Sequence, residues 1–199
     1  MSVAGSTLTI VLTNTTSADA GDGGAGNLLA GLGFNLPTGA TIGSGTVSMA
    51  GSIALGFTAP GDNDISDEWG YRNGMPTQGH FDPIGSGDGP ATLTVNTVIS
   101  SQKTDAPNQF SGTNNLKGPG FGLASPLAAV GGQDAIQDHV TITLNLSGTV
   151  PGDLIDQIDS NSVILAFGSP ALSTIPEPTT LLLAILAMPF LGVRKSLEN

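Results

Sequence analysis

Four carboxylates stand within seven residues of one another in the segment GDNDISDEWG: Asp62, Asp64, Asp67 and Glu68. Carboxylate oxygens are the hard ligands that calcium takes, about six to eight at a time, so this segment folded back on itself would make a calcium site. The spacing is not that of an EF-hand, because the twelfth position counted from Asp62 is Asn73, where that loop needs a bidentate Glu. The plainer reading is a solvated turn leading into a strand that carries Trp69. Trp69 and Tyr71, with Phe81 nearby in sequence, could form an aromatic platform for sugar rings. At i and i+2 they share one strand face, which half-buried packing explains equally well.

Other chemistry-bearing residues are sparse. His80, Asp82 and Asp88 fall in one stretch and Asp138 precedes His139, so a site of histidine and carboxylate around a metal is conceivable. Two histidines without close ligand spacing are more often surface residues. Asp64 and Asp82 could serve as the paired carboxylates of a hydrolase, at a separation the sequence leaves open. Asp22 and Asn27, in GDGGAGN, read as part of a turn. There is no G-x-S-x-G nucleophile motif. Cysteine is absent, which removes disulfides, thiolate metal sites and thiol nucleophiles. A chain with so little catalytic equipment is expected not to be an enzyme.

The elements that must position these residues are strands. Val140, Ile142, Leu144 and Leu146 alternate with Thr141, Thr143, Asn145 and Ser147, the period of a half-buried strand. Leu8, Ile10 and Leu12 alternate with Thr7, Thr9 and Thr13, although Val11 blurs the pattern. Leu93, Val95, Thr97 and Ile99 give a third strand. Shorter ones are predicted over 28–36, 46–49, 52–58, 68–72 and 162–167. Glycine-rich turns such as PGDND at 60–64 and GSGDGP at 85–90 separate them. Residues 100–120 are polar with few apolar anchors and read as a long surface loop. About eight short strands at this spacing predict an all-β fold, a β-sandwich or jelly roll.

Composition agrees. A body of about 170 residues can bury roughly 70% of its unfolded surface around a single core, so one domain suffices. Charged residues are only 11% of the chain, and Thr, Ser and Asn supply the polar surface, a mix that favours strands and turns. The net charge is −11. Up to Glu177, only Arg72, Lys103 and Lys117 oppose fifteen acidic residues. Such a field repels phosphate backbones and anionic headgroups, so nucleic acid is not an expected partner. The opening segment MSVAGSTLTIVLTNTT has no basic side chain and alternates, so it reads as a first strand and not as a signal peptide.

From Thr174 the composition changes. Pro176, Glu177 and Pro178 precede an uncharged apolar stretch, and Arg194 and Lys195 follow it. As a helix, Thr179 to Val193 spans about 22 Å at 1.5 Å per residue, short of a bilayer core of about 30 Å unless flanking residues and snorkelling cations extend it. The positive-inside rule keeps Arg194 and Lys195 on the cytoplasmic side and the acidic body outside. The two prolines hold the preceding segment extended, the form in which proteases bind chain. Pro189 inside the stretch weakens the helix. The bland alternatives are a terminal helix packed in the core or a plain anchor.

The order Pro-Glu-Pro, apolar helix, basic cluster resembles the PEP-CTERM sorting signal, over about 25 residues. NLLAGLGFNLP, DEWGYRNG, FGLAS, DHVTITLNLSG and NSVILAFGSP are similar to exported bodies that precede such tails. The resemblance implies a Gram-negative source, recognition and processing by an exosortase, a membrane cysteine protease or transpeptidase-like enzyme, and association with extracellular polysaccharide. It divides the chain into an ectodomain over 1–173 and a sorting tail over 174–199, with a single hydrophobic helix at Thr179 to Val193. The expected protein is a non-enzymatic surface or matrix component tethered to the inner membrane in transit. The alternative is a calcium-assisted carbohydrate-binding module built on Asp62 to Tyr71.

Overall fold

The structure is a computed structural model that describes residues 1–15, 28–77, 79–81, 94–112, 116, 121–125, 134–158 and 163–168. The expected sorting tail and its apolar helix lie outside the described residues, as do Asp22, Asn27, Asp82 and Asp88. Among the described residues no helix is long and apolar enough to cross a membrane.

Among the described residues twelve strands form two sheets, with one helical turn beside them. The first sheet holds β1 (Ser2–Ala4), β2 (Thr7–Thr13), β4 (Ala40–Ser48) and β11 (His139–Gly148), in the order β1-β2-β11-β4, antiparallel throughout. The second runs β5 (Ile53–Leu55), β10 (Ala135–Gln137), β9 (Leu123–Ala124), β3 (Leu29–Phe34), β7 (Thr97–Ser100), β6 (Gly70–Asn73) and β8 (Asn108–Gln109), with β12 (Ile164–Phe167) also on β3. The helical turn is α1 (Leu154–Gln157). The expected all-β class is thus observed.

Alternation places the first sheet. Leu8, Ile10 and Leu12 on β2, and Val140, Ile142, Leu144 and Leu146 on β11, face inward and are buried. They share one core cluster with Leu29, Leu32, Phe34, Ile99 and Ile136 of the second sheet. Burying each such side chain contributes about 1.5–3 kcal/mol. Val11 does not break the pattern: it points outward and is 59% exposed. The outward face reads in register across all four strands as Ser2, Thr9, Thr143 and Thr46. A second row is Val11, Thr141 and Ser48.

The second sheet lacks that alternation in its middle. Every residue of β3 and of β7 is buried, because the outer face is covered too. A separate cluster of Phe81, Val95, Val98 and Ala166 forms this cover. Gly33 makes room for it: a Cβ there would stand 2.7 Å from the Phe81 ring.

Of the segment 100–120, expected as a surface loop, residues 100–109 differ. Ser100, Ser101, Gln102, Asp105 and Ala106 are buried, and Asn108–Gln109 adds β8 to the sheet edge. Their polar atoms are satisfied: Ser100 Oγ donates to Ala30 O at 2.9 Å, and Gln102 N donates to Ser100 Oγ at 3.0 Å. Hydrogen-bonded polar groups can be buried at little cost.

The chain passes from the second sheet to the first through a single residue. Asp138 separates β10 from β11 with φ 99°, a conformation L-residues rarely adopt. Asn73 joins the sheets elsewhere. Its side-chain amide accepts from Ile42 N at 2.8 Å and donates to Ile42 O at 2.9 Å, imitating a neighbouring strand's peptide group.

Candidate functional site

The acidic turn precedes β6. Asp62 Oδ1 accepts from Asp64 N at 3.1 Å, and Asp64 Oδ1 accepts from Ser66 N at 2.9 Å and from Ser66 Oγ. These are Asx-type turn bonds that order the backbone. Ser66 Oγ also accepts from Val47 N at 2.8 Å, and Ser48 bridges Asp64, so the turn is pinned along β4. Asp62, Asp64 and Asp67 are exposed while Glu68 is buried. Among the described residues no three metal-ligating side chains converge. Of the four carboxylates expected to hold calcium, Asp62, Asp64, Asp67 and Glu68, the first two accept local turn bonds.

Of the expected aromatic platform, Trp69 is enclosed. Trp69 is 0% exposed and lies in the central core cluster. Tyr71 is half-buried against the same cluster and stacks on Phe110 with ring centroids 5.2 Å apart. Phe81 is buried in the other cluster, behind the second sheet. The packing alternative holds for Trp69, since an indole ring enclosed on all sides has no face left for a sugar.

His80 pairs with a residue the sequence analysis assigned no role. Its Nδ1 lies 2.7 Å from Asp105 Oδ2, and its backbone N donates to Asp105 Oδ1 at 2.8 Å. Ser100 Oγ, whose proton goes to Ala30 O, lies 3.3 Å from Asp105 Oδ2. Arg72 clamps the same turn from outside, donating through Nε to Asp105 O and through its terminal nitrogen to Thr104 O, both at 2.9 Å. With His80 5% and Asp105 0% exposed, the pair fastens the segment 79–81 across the sheet and offers no surface to a substrate. Gly79 belongs to this fit, with φ 90° and Asp105 Oδ1 where a Cβ would stand.

Ser52, His139 and Asp138 meet at the crossover between sheets. His139 Nδ1 lies 3.3 Å from Ser52 Oγ and 3.2 Å from Asp138 Oδ2. In a nucleophilic triad the carboxylate holds one ring nitrogen and the hydroxyl the other. Here both use Nδ1, and Ser52 Oγ donates to His139 O at 2.6 Å. The hydroxyl staples the turn before β5 to β11.

Asp105, Ser100 and Ser52 escaped sequence reading because their partners are 25, 70 and 87 positions away in the chain. The candidate residues are therefore distributed: Asp62 to Glu68 along β4, Trp69 in the core, His80 behind the second sheet and His139 at the crossover. No protein-family model, no curated protein and no solved structure matches this chain.

Proposed function

We propose that this chain is a non-enzymatic exported protein, a β-sandwich or jelly-roll ectodomain over 1–173 followed by a PEP-CTERM-type sorting tail over 174–199. An exosortase-type enzyme recognises the tail and processes it. The apolar stretch Thr179 to Val193 tethers the protein to the inner membrane in transit, and the body ends at the cell surface or in the extracellular matrix, where it contributes to biofilm structure.

The observation that carries this reading is the order of parts in the tail. Pro176, Glu177 and Pro178, a tripeptide whose prolines favour extended chain, come first, an uncharged apolar stretch follows, and Arg194 and Lys195 supply the basic end that the positive-inside rule reads. The tripeptide by itself is common, and the combination is not. The tail is substrate in this reading and has no catalytic part.

Intact mass and cell fractionation, in a host with and without the processing enzyme, test it. Loss of the residues beyond the Pro-Glu-Pro segment, together with enzyme-dependent release, is the expected result. A full-length mass that is the same in both hosts would overturn the sorting reading.

A further inference from the structure

We infer that the outward face of the four-stranded sheet is a binding surface for a neutral, extended polysaccharide chain laid across the strands. The row Ser2, Thr9, Thr143 and Thr46 sets four hydroxyl side chains side by side, one from each strand. Neighbouring strands are about 4.8 Å apart, close to the length of one sugar unit in an extended glycan. Each hydroxyl both donates and accepts, as each sugar hydroxyl does.

Charge selects among polymers. Neither this row nor the parallel row of Val11, Thr141 and Ser48 contains a charged side chain. The chain as a whole carries −11, so uronate-rich or sulfated glycans are repelled while a neutral one is not. Twist selects for a flexible ligand. Adjacent strands of a sheet usually rotate by roughly 20–25°, so a four-stranded face commonly turns through about 60–75°, which suits a flexible ligand better than the flat surface of a crystal. A single polymer chain follows such a twist. Contacts of this kind are individually weak in water, and retention depends on several sites along one polymer acting together.

The inference deepens the matrix role proposed above by naming a ligand class, and it rests on that reading for its biological setting only. The test is retention of the purified full chain, held in a polyoxyethylene detergent, on immobilised dextran, insoluble β-1,3-glucan and galactomannan, with alginate as the anionic control. Thr9→Val, Thr143→Val and Thr46→Val together keep the β-branched shape and remove the hydroxyls. Retention on at least one neutral polymer and none on alginate is expected. The triple variant should lose retention at least tenfold and Thr143→Val alone severalfold, with melting temperatures unchanged. Thr104→Val, at an exposed threonine in the turn that Arg72 clamps, should behave as the parent. No retention on any of the three neutral polymers, or equal retention by the triple variant, would overturn the inference. So would a concentration-dependent dimer, seen in sedimentation, that the triple variant abolishes, since the face would then belong to a second copy. None of these outcomes depends on whether the tail is processed.

Discussion

Asp105 and His80 are held together twice, through the ring nitrogen at 2.7 Å and the backbone N–H at 2.8 Å. The carboxylate is fully enclosed, with Ser100 Oγ 3.3 Å away. This one side chain fastens the segment carrying Phe81 over the second sheet, and several consequences can be measured.

Asp105→Ala leaves the donors that faced the carboxylate without their acceptor. Unsatisfied buried groups cost about 1–3 kcal/mol each, so a loss of about 3 kcal/mol or more in urea unfolding is expected. A loss under about 1 kcal/mol would mean that the pair is incidental to stability.

Gly33→Ala forces a methyl against the Phe81 ring. Overpacking of this kind costs about 1–3 kcal/mol. Phe81→Leu in the same chain should recover part of that cost, and a double-mutant cycle reads the coupling directly. Additive effects would show that the two residues do not press on each other.

Asp138→Gly replaces an L-residue at φ 99° with the one residue that adopts it freely. The contact of Asp138 Oδ2 with His139 is lost, but it lies at the half-exposed surface and is worth little. The expected net effect is a gain of about 1 kcal/mol, seen as a higher midpoint in thermal unfolding. A lower midpoint would show that the carboxylate matters more than the strained backbone.

Trp69→Ala should destabilise the fold by about 3–5 kcal/mol, the usual cost of emptying a core aromatic site. The measurement is the shift in the urea midpoint. Near-native stability would place Trp69 outside the core and reopen the sugar platform.

Much of the fold was legible in the sequence because β2 and β11 each bury one face, and a period of two writes that directly into the residue order. The strand at 29–34 was also legible, as an apolar run between turns. The long segment after β7 was not. Polar residues usually mark surface, and Ser100, Gln102 and Asp105 are buried only because partners distant in sequence satisfy them. Sequence proximity also hid what Asp62 to Glu68 do in the fold. Four adjacent carboxylates suggest a cation site, yet local turn bonds take up Asp62 and Asp64, and Glu68 turns inward.

By itself, the sequence determined the all-β class, the strands with clean alternation, the acidity of the chain, and the ordered motif on which the sorting proposal stands. These are local or summed properties and need no knowledge of which residues meet. Only the tertiary structure decided that Trp69 is core, that Asp105 answers His80, that Asn73 joins β6 to β4, and that hydroxyls from four strands fall into one row. Each of these depends on register and crossover between segments far apart in the chain, and a register shift of one residue would send the same side chains to the opposite face.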